Sequence, residues 1–451
     1  MAVNNRSKQT SYAIQSILTI ITATLILFVS ASAQSAKNDL NPRIVPVGKG
    51  WAKNSVNATI FRINSITSHC DHQYIAYYDA NGRVVLGKRK IGTTNWSIRK
   101  TRYKGDPTDA HNGISIAVDG SGIVHMSWDH HCDPLRYCRS TRPGTLEMTD
   151  EMPMTGKNEN TLTYPEFYNL PNGELLFLYR NGSSGNGNTM LNRYDIETGK
   201  WSVVQHPLIS GQGQLNAYTN QIAVDEKGCW HISWCWRETG DVATNHDLCY
   251  AKSPDEGKTW AKSTGKKYTL PITAENCECI RRIPQKSELI NQTSMTVDAS
   301  GCPLIATYWR PEGTKVPQYQ LVYYDGNNWK TVQVGQRKTP FSLSGAGTKY
   351  LPICRPKVLA GAENKVYVIF RDIEYDNKLC VAISQDQQRK KWRIKELTRD
   401  SFEQWEPSVD SVLWKREKVI HLFLQKVIQK DRDVLLEIPP QMVSVLEWMP
   451  E

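Results

Sequence analysis

The stretch that decides the fold is Ile116-Ala117-Val118-Asp119-Gly120-Ser121-Gly122-Ile123-Val124-His125-Met126-Ser127-Trp128. It returns as Ile222-Ala223-Val224-Asp225-Glu226-Lys227-Gly228-Cys229-Trp230-His231-Ile232-Ser233-Trp234. A third copy runs Met295-Thr296-Val297-Asp298-Ala299-Ser300-Gly301 and on through Leu304-Ile305-Ala306-Thr307-Tyr308. Each copy reads as a short strand, an Asp/Gly turn and a second strand of alternating character, which is a β-hairpin. Degenerate copies lie at residues 167–180, 358–371 and 409–424, and an N-terminal one covers 60–79. The turn positions Asp119, Asn172 and Asp225 are spaced 53 and 53 residues apart.

Between the hairpins a second signal repeats, a turn followed by a Trp that opens a strand, at Trp96, Trp201, Trp329 and Trp392. Its fullest form is Ser253-Pro254-Asp255-Glu256-Gly257-Lys258-Thr259-Trp260, where Asp and Ser/Thr side chains can bond the turn's own backbone. We assign that box a structural role. Two hairpins' worth of strand per unit predicts a four-stranded sheet, and seven such sheets arranged radially make an all-β, seven-bladed β-propeller. A β-sandwich would not explain seven matching units. No stretch of 12 or more residues beyond residue 33 shows a helical period. Residues 34 to about 55 and the strand around Val443 to Trp448 are expected to close the ring.

The 451 residues include 39% hydrophobic and 22% charged side chains, the balance of a globular chain. Twenty Tyr and 14 Trp against 8 Phe suit half-buried strands and the walls of a carbohydrate site. The net charge of +10 is spread along the chain, with no basic tail or nucleic-acid motif, so nucleic acid is not an expected partner. A generally basic surface and an anionic substrate both fit it. Residues 1–33 read as a signal peptide, with Arg6 and Lys8 before an apolar run and Ala31-Ser32-Ala33 as the cleavage signature. The expected product is one propeller domain over 34–451, exported, monomeric and off the membrane after cleavage. The 11 cysteines include no C-x-x-C pair. Cys132 with Cys138, or Cys277 with Cys279, could be zinc ligands, but most cysteines read as small buried hydrophobes.

Chemistry should collect where loops from several blades meet the axis. Asp109-Ala110-His111-Asn112 precedes one hairpin and Trp128-Asp129-His130-His131 ends it. Thr163-Tyr164-Pro165 opens the next blade, and Tyr179-Arg180-Asn181-Gly182 closes that blade's hairpin. Opposite ends of a hairpin lie on one face, so His111, His131, Tyr164 and Arg180 are expected to converge. His125 and His231 share one repeat position inside a strand and read as structural. Zinc on His111 and His131 lacks a third ligand of recognisable spacing. Arg237, Asn220, Asn245 and His246 are candidates for holding sugar hydroxyls and a carboxylate, or simply for a hydrogen-bonded blade rim.

At these stretches the chain resembles secreted bacterial BNR-repeat proteins of the ulvan-lyase and rhamnose–glucuronate-lyase type. Asn291-Gln292-Thr293 and Thr244-Asn245-His246-Asp247 carry the resemblance further, which runs from about residue 50 to 430. It implies a seven-bladed propeller that cleaves next to a uronic acid by β-elimination, with site roles for His111, His131, Tyr164 and Arg180. A related branch of α-L-rhamnosidases is similar but hydrolyses a rhamnosyl-glucuronate bond with one His on the opposite face. Ser68-His69-Cys70-Asp71-His72 resembles that position, with His69 the match.

Elimination needs a base for the C5 proton, an acid for the leaving oxygen and a cation for the carboxylate. Tyr164, His111 or His131 could move the protons, and Arg180 or Arg237 could face the carboxylate. The site shows no carboxylate pair of the glycosidase kind. A sialidase would share the propeller and the S-x-D-x-G-x-T-W box, and Phe61-Arg62-Ile63 resembles its N-terminal Arg motif. A non-catalytic glycan-binding propeller is the remaining alternative. No cofactor is required by the lyase reading, which leaves room for a structural calcium. The expected partner is an anionic polysaccharide or oligosaccharide.

Overall fold

Asp119 shows why the repeat folds as it does. Its carboxylate accepts from the backbone N–H groups of Ser121 at 2.9 Å and Ile123 at 3.0 Å. Gly122 supplies the left-handed residue, with φ +82°. Asp225 binds Lys227 and Cys229 in the same way, and Asp298 binds Ser300 and Cys302. His125 spans Asp119 and the Tyr137 hydroxyl, and His231 spans Asp225 and Tyr250. Both histidines are therefore pins of the repeat.

The computed structural model describes residues 41–59 and 64–450. Residues 1–33, read above as a signal peptide, and Phe61-Arg62-Ile63 lie outside the described residues. Among those described, the strands form seven sheets, the blades of a β-propeller. In chain order, blade 1 opens with Ile66–His69, blade 2 with Ile114–Val118 and blade 3 with Leu162–Asn169. Blades 4 to 7 open with Asn216–Val224, Ser294–Val297, Lys357–Ala360 and Ser408–Val409. In each blade these opening strands pair with the next strand to make the hairpins read from the sequence. Sheets stacked face to face bury both of their sides, so Ile114–Val118 and Val124–Trp128 are buried throughout.

The ring closes where expected. Arg43–Gly50 pairs antiparallel with Gln441–Trp448 in blade 7, and Arg43 Nε reaches Glu447 at 2.9 Å across 404 residues. Three details differ from a uniform four-stranded pattern. Blade 2 keeps three strands and a single bridge from Ser140 to Met148. Blade 3 gains a fifth strand, His131–Asp133, on the side of Leu162–Asn169 away from its hairpin partner. The seventh hairpin has a helix, Ser411–Glu417, in place of a turn, started by Asp410, whose side chain accepts from Leu413 N–H. No helix among the described residues is long and apolar enough to cross a membrane.

Deeper in the channel, Glu166 of blade 3 is buried and accepts from the Tyr168 hydroxyl. Lys357 of blade 6 donates to Gln221 of blade 4. Burial pushes the Glu166 carboxyl up to about 8 and the Lys357 ammonium down to about 8.

Candidate active site

The additional strand of blade 3 builds the site. Asp129 and Cys132 take left-handed φ values of +65° and +68°, which turn the chain out of blade 2 and lay His131 beside Thr163. Tyr164 follows, also left-handed at φ +58°, an uncommon conformation for a bulky residue. The kink breaks the register between Thr163 and Glu166.

His111 and His131 stack, with ring centroids 4.1 Å apart and planes 18° from parallel. Asp109 lies between them. His111 Nδ1 is 2.6 Å from Asp109 Oδ1, and His131 Nδ1 is 2.6 Å from Asp109 Oδ2. A carboxylate only accepts, so each imidazole donates its Nδ1–H, and in the neutral ring this tautomer puts the lone pair on Nε2. Burial alone would raise the Asp109 carboxyl, but the two histidine bonds hold it well below the usual carboxylate range.

Tyr164 is 6.1 Å from His111 by ring centroids and carries the Arg180 guanidinium 5.0 Å from its ring. Arg180 is 6% exposed and donates to Thr163 Oγ1 at 3.0 Å and to the Gly182 carbonyl at 3.1 Å. Tyr218 lies behind, 6.1 Å from Tyr164, with Arg237 5.2 Å from its ring. Burial pushes the Tyr164 hydroxyl well up. Tyr218 is also buried, yet Arg237 and Arg180 outweigh that burial and bring its hydroxyl below the ordinary tyrosine value.

The central cavity is lined by His111, Tyr164, Arg237, Gln292 and Arg355 among others. Arg180 and Tyr218 line a smaller crevice behind Tyr164. The structure thus brings His111, His131, Tyr164 and Arg180 together, with Arg237 across the cavity. Four other candidates lie elsewhere. Asn220 is 1% exposed and accepts from Thr293 N–H and Oγ1, and Asn245, equally buried, donates to the Leu289 carbonyl. Both hold neighbouring strands and loops together, the blade-rim role that the sequence also allowed. His246 sits between Glu238 at 3.6 Å and Asp247 at 3.4 Å, outside the cavity lining. His69 ends the first strand of blade 1, on the turn side of the ring opposite the cavity.

Sequence reasoning missed Asp109 and Tyr218. Asp109 was visible as the residue two before His111, and Tyr218 stands about one repeat period after Tyr164. Asp109, His111 and His131 could together hold a divalent cation, as their ligand atoms lie within 4.8 Å of one another. Both Nδ1 atoms already engage the carboxylate, so a metal there would displace two charge-assisted bonds. A second grouping, Asp225, Cys229 and His231, repeats the Asp119–His125 pin and is accounted for by it.

A family model described as a BNR repeat-containing family member matches residues 72–337. A long-isoform ulvan lyase of Alteromonas sp. (strain LOR) is 30% identical over 235 residues, 41% of this chain and 23% of its own. The short isoform from the same strain is 28% identical over 159 residues, 25% of this chain and 30% of its own. This chain therefore spans under a third of the length of the curated relatives it matches. Among solved structures, polysaccharide lyase Uly1 matches 91% of this chain and 99% of its own, with TM-score 0.67 and 15% identity. A PL25 ulvan lyase bound to -[GlcA(1-4)Rha3S]- matches 90% of this chain and 93% of its own, with TM-score 0.64 and 15% identity. At that identity these likenesses show the shared propeller.

Proposed function

The chain belongs to the BNR repeat-containing family, and from that footing we propose that it is a polysaccharide lyase acting on a rhamnose–glucuronate glycan of the ulvan type. The relatives' activity as ulvan lyases supports the reaction class. The observation that carries the reading is His111, tied with its stacked neighbour His131 to one carboxylate, facing a buried tyrosine and an arginine across one cavity. We read the product as exported and acting as a monomer.

The chemistry follows from the proton positions. A histidine Nε2 lone pair, His131 being the more exposed of the two, takes the C5 proton of the uronate. The electron pair left at C5 forms the C4–C5 double bond as the C4–O4 bond breaks. Tyr164, kept protonated by burial, gives its proton to O4. Arg237 neutralises the carboxylate as charge grows on it, while two of its nitrogens stay fixed on the Gly240 and Asp241 carbonyls. Arg180 lies against Tyr164 and favours its ionisation once the proton has left.

His131→Ala is expected to lower kcat by about 10²–10⁴ while the protein still melts cooperatively. The readouts are ultraviolet absorbance of the unsaturated uronate and free rhamnose, measured together on a rhamnose–glucuronate polymer. Undiminished chromophore from that variant would sink this site. Rhamnose released without chromophore, and abolished by His69→Ala, would mark the hydrolase instead.

A further inference from the structure

On the face opposite the catalytic cavity, blades 5 and 6 part to leave a cleft of about 740 Å³, within the range of sites that hold small ligands. It lies on that face because its walls are the Asp298 hairpin turn, the ends of the strands Gln318–Tyr324 and Leu379–Ser384, and the loops after them. Arg389 forms the floor. It is 6% exposed, stands 4.4 Å from the Tyr323 ring and pairs with Asp298 at 3.3 Å. Its Nε is buried with no hydrogen-bond partner among the described residues.

Around this floor the walls alternate in chemistry. Tyr323 and Tyr324 are half-buried and offer ring surface. Ser300, Asn364, Gln387 and Gln388 are exposed and offer hydroxyl and amide groups. Lys330 faces Asp325 at 3.6 Å, whereas Lys390 is exposed and makes no ion pair among the described residues. Aromatic faces, neutral hydrogen-bonding groups and an unbalanced cation are the recognition set for a sugar carrying an anionic group.

We propose that this cleft is a second carbohydrate-binding site, which takes a short run of an acidic glycan and keeps the polymer on the enzyme while the opposite face cuts it. The choice of glycan rests on the function proposed above, whereas the cleft and its chemistry do not. Lys390 and Arg389 would face the anionic group, a uronate carboxylate or a sulfate ester, and Tyr323 and Tyr324 the sugar rings.

The test uses the full chain carrying His131→Ala, so that the polymer stays intact, and affinity electrophoresis in gels containing ulvan or a neutral glucan. Adding Lys390→Glu should weaken retardation by ulvan about fivefold, the size of one exposed charge contact, and Arg389→Gln should weaken it further. In the otherwise unaltered enzyme, Lys390→Glu should raise KM for the polymer and leave a short oligosaccharide's kinetics unchanged. Retardation unchanged by Lys390→Glu overturns the proposal, as does equal retardation by the neutral glucan. Should Arg389→Gln fail to fold, the exposed Lys390 answers alone. Electrophoresis reads binding without turnover, so an absent chromophore would count against the lyase and leave the cleft to be judged on retardation. Carboxyl-reduced and desulfated ulvan then separate the two anions, and binding kept by a polymer lacking both overturns the acidic assignment.

Discussion

Asp109 accepts from two imidazoles, so one substitution there releases both rings from their shared tautomer. Asp109→Asn should lower kcat by about 10²-fold or more with a smaller change in KM, since the rings remain but their Nε2 lone pairs are no longer assured. Steady-state kinetics on the polymer would check it. Glu166 offers a stability test with a definite sign. A carboxyl whose proton is held more tightly in the folded state costs stability from its ordinary value of 4.5 upward, and the penalty grows until about pH 8. Glu166→Gln should therefore melt like the parent near pH 4 and about 2–4 °C higher at pH 8, as read by scanning calorimetry. At this scale the sequence disclosed residues at strand ends, such as His111 and Arg180, because the repeat shows where strands end. Tyr218 escaped because its pattern is that of any inner-strand aromatic, and only the two arginines around it set it apart. Asn220 and Asn245 stayed open between two roles because a polar residue at a blade mouth serves equally to tie adjacent strands and loops.

Hairpins were the legible elements, since an Asp that bonds two backbone N–H groups leaves a fixed signature around it. The same bonds give a prediction. Asp225→Ala strips partners from the Lys227 and Cys229 amides and from His231, all at a turn that packs against Gly301 of the next blade. The cost should be about 2–3 kcal/mol, measurable by denaturant unfolding, with the catalytic pH profile unaltered. Two elements were illegible for reasons of length. Ser411–Glu417 has seven residues, below any window in which a helical period can be recognised. His131–Asp133 has three, too few to show alternation, yet it is the strand that carries His131 to Tyr164.

Across the whole molecule, the seven repeats disclosed the architecture because each unit cannot cover its own faces and must stack on neighbours. Among the described residues the closing contact has the longest reach, between Arg43–Gly50 and Gln441–Trp448. Deleting residues 41–50 would leave the outer edge of blade 7 unpaired, and the expected result is a lower melting temperature and a tendency to self-associate, followed by light scattering during a thermal ramp. That contact also imposes an order in time. A ribosome makes Arg43 some 400 residues before Glu447, so the strand Arg43–Gly50 must wait, unpaired, for Gln441–Trp448. Blades 1 to 6 can assemble from neighbouring sequence as they emerge, but the circle cannot shut on a partial chain. Every prematurely terminated product therefore keeps an open seam, the feature by which a chaperone or protease can tell an unfinished copy from a finished one.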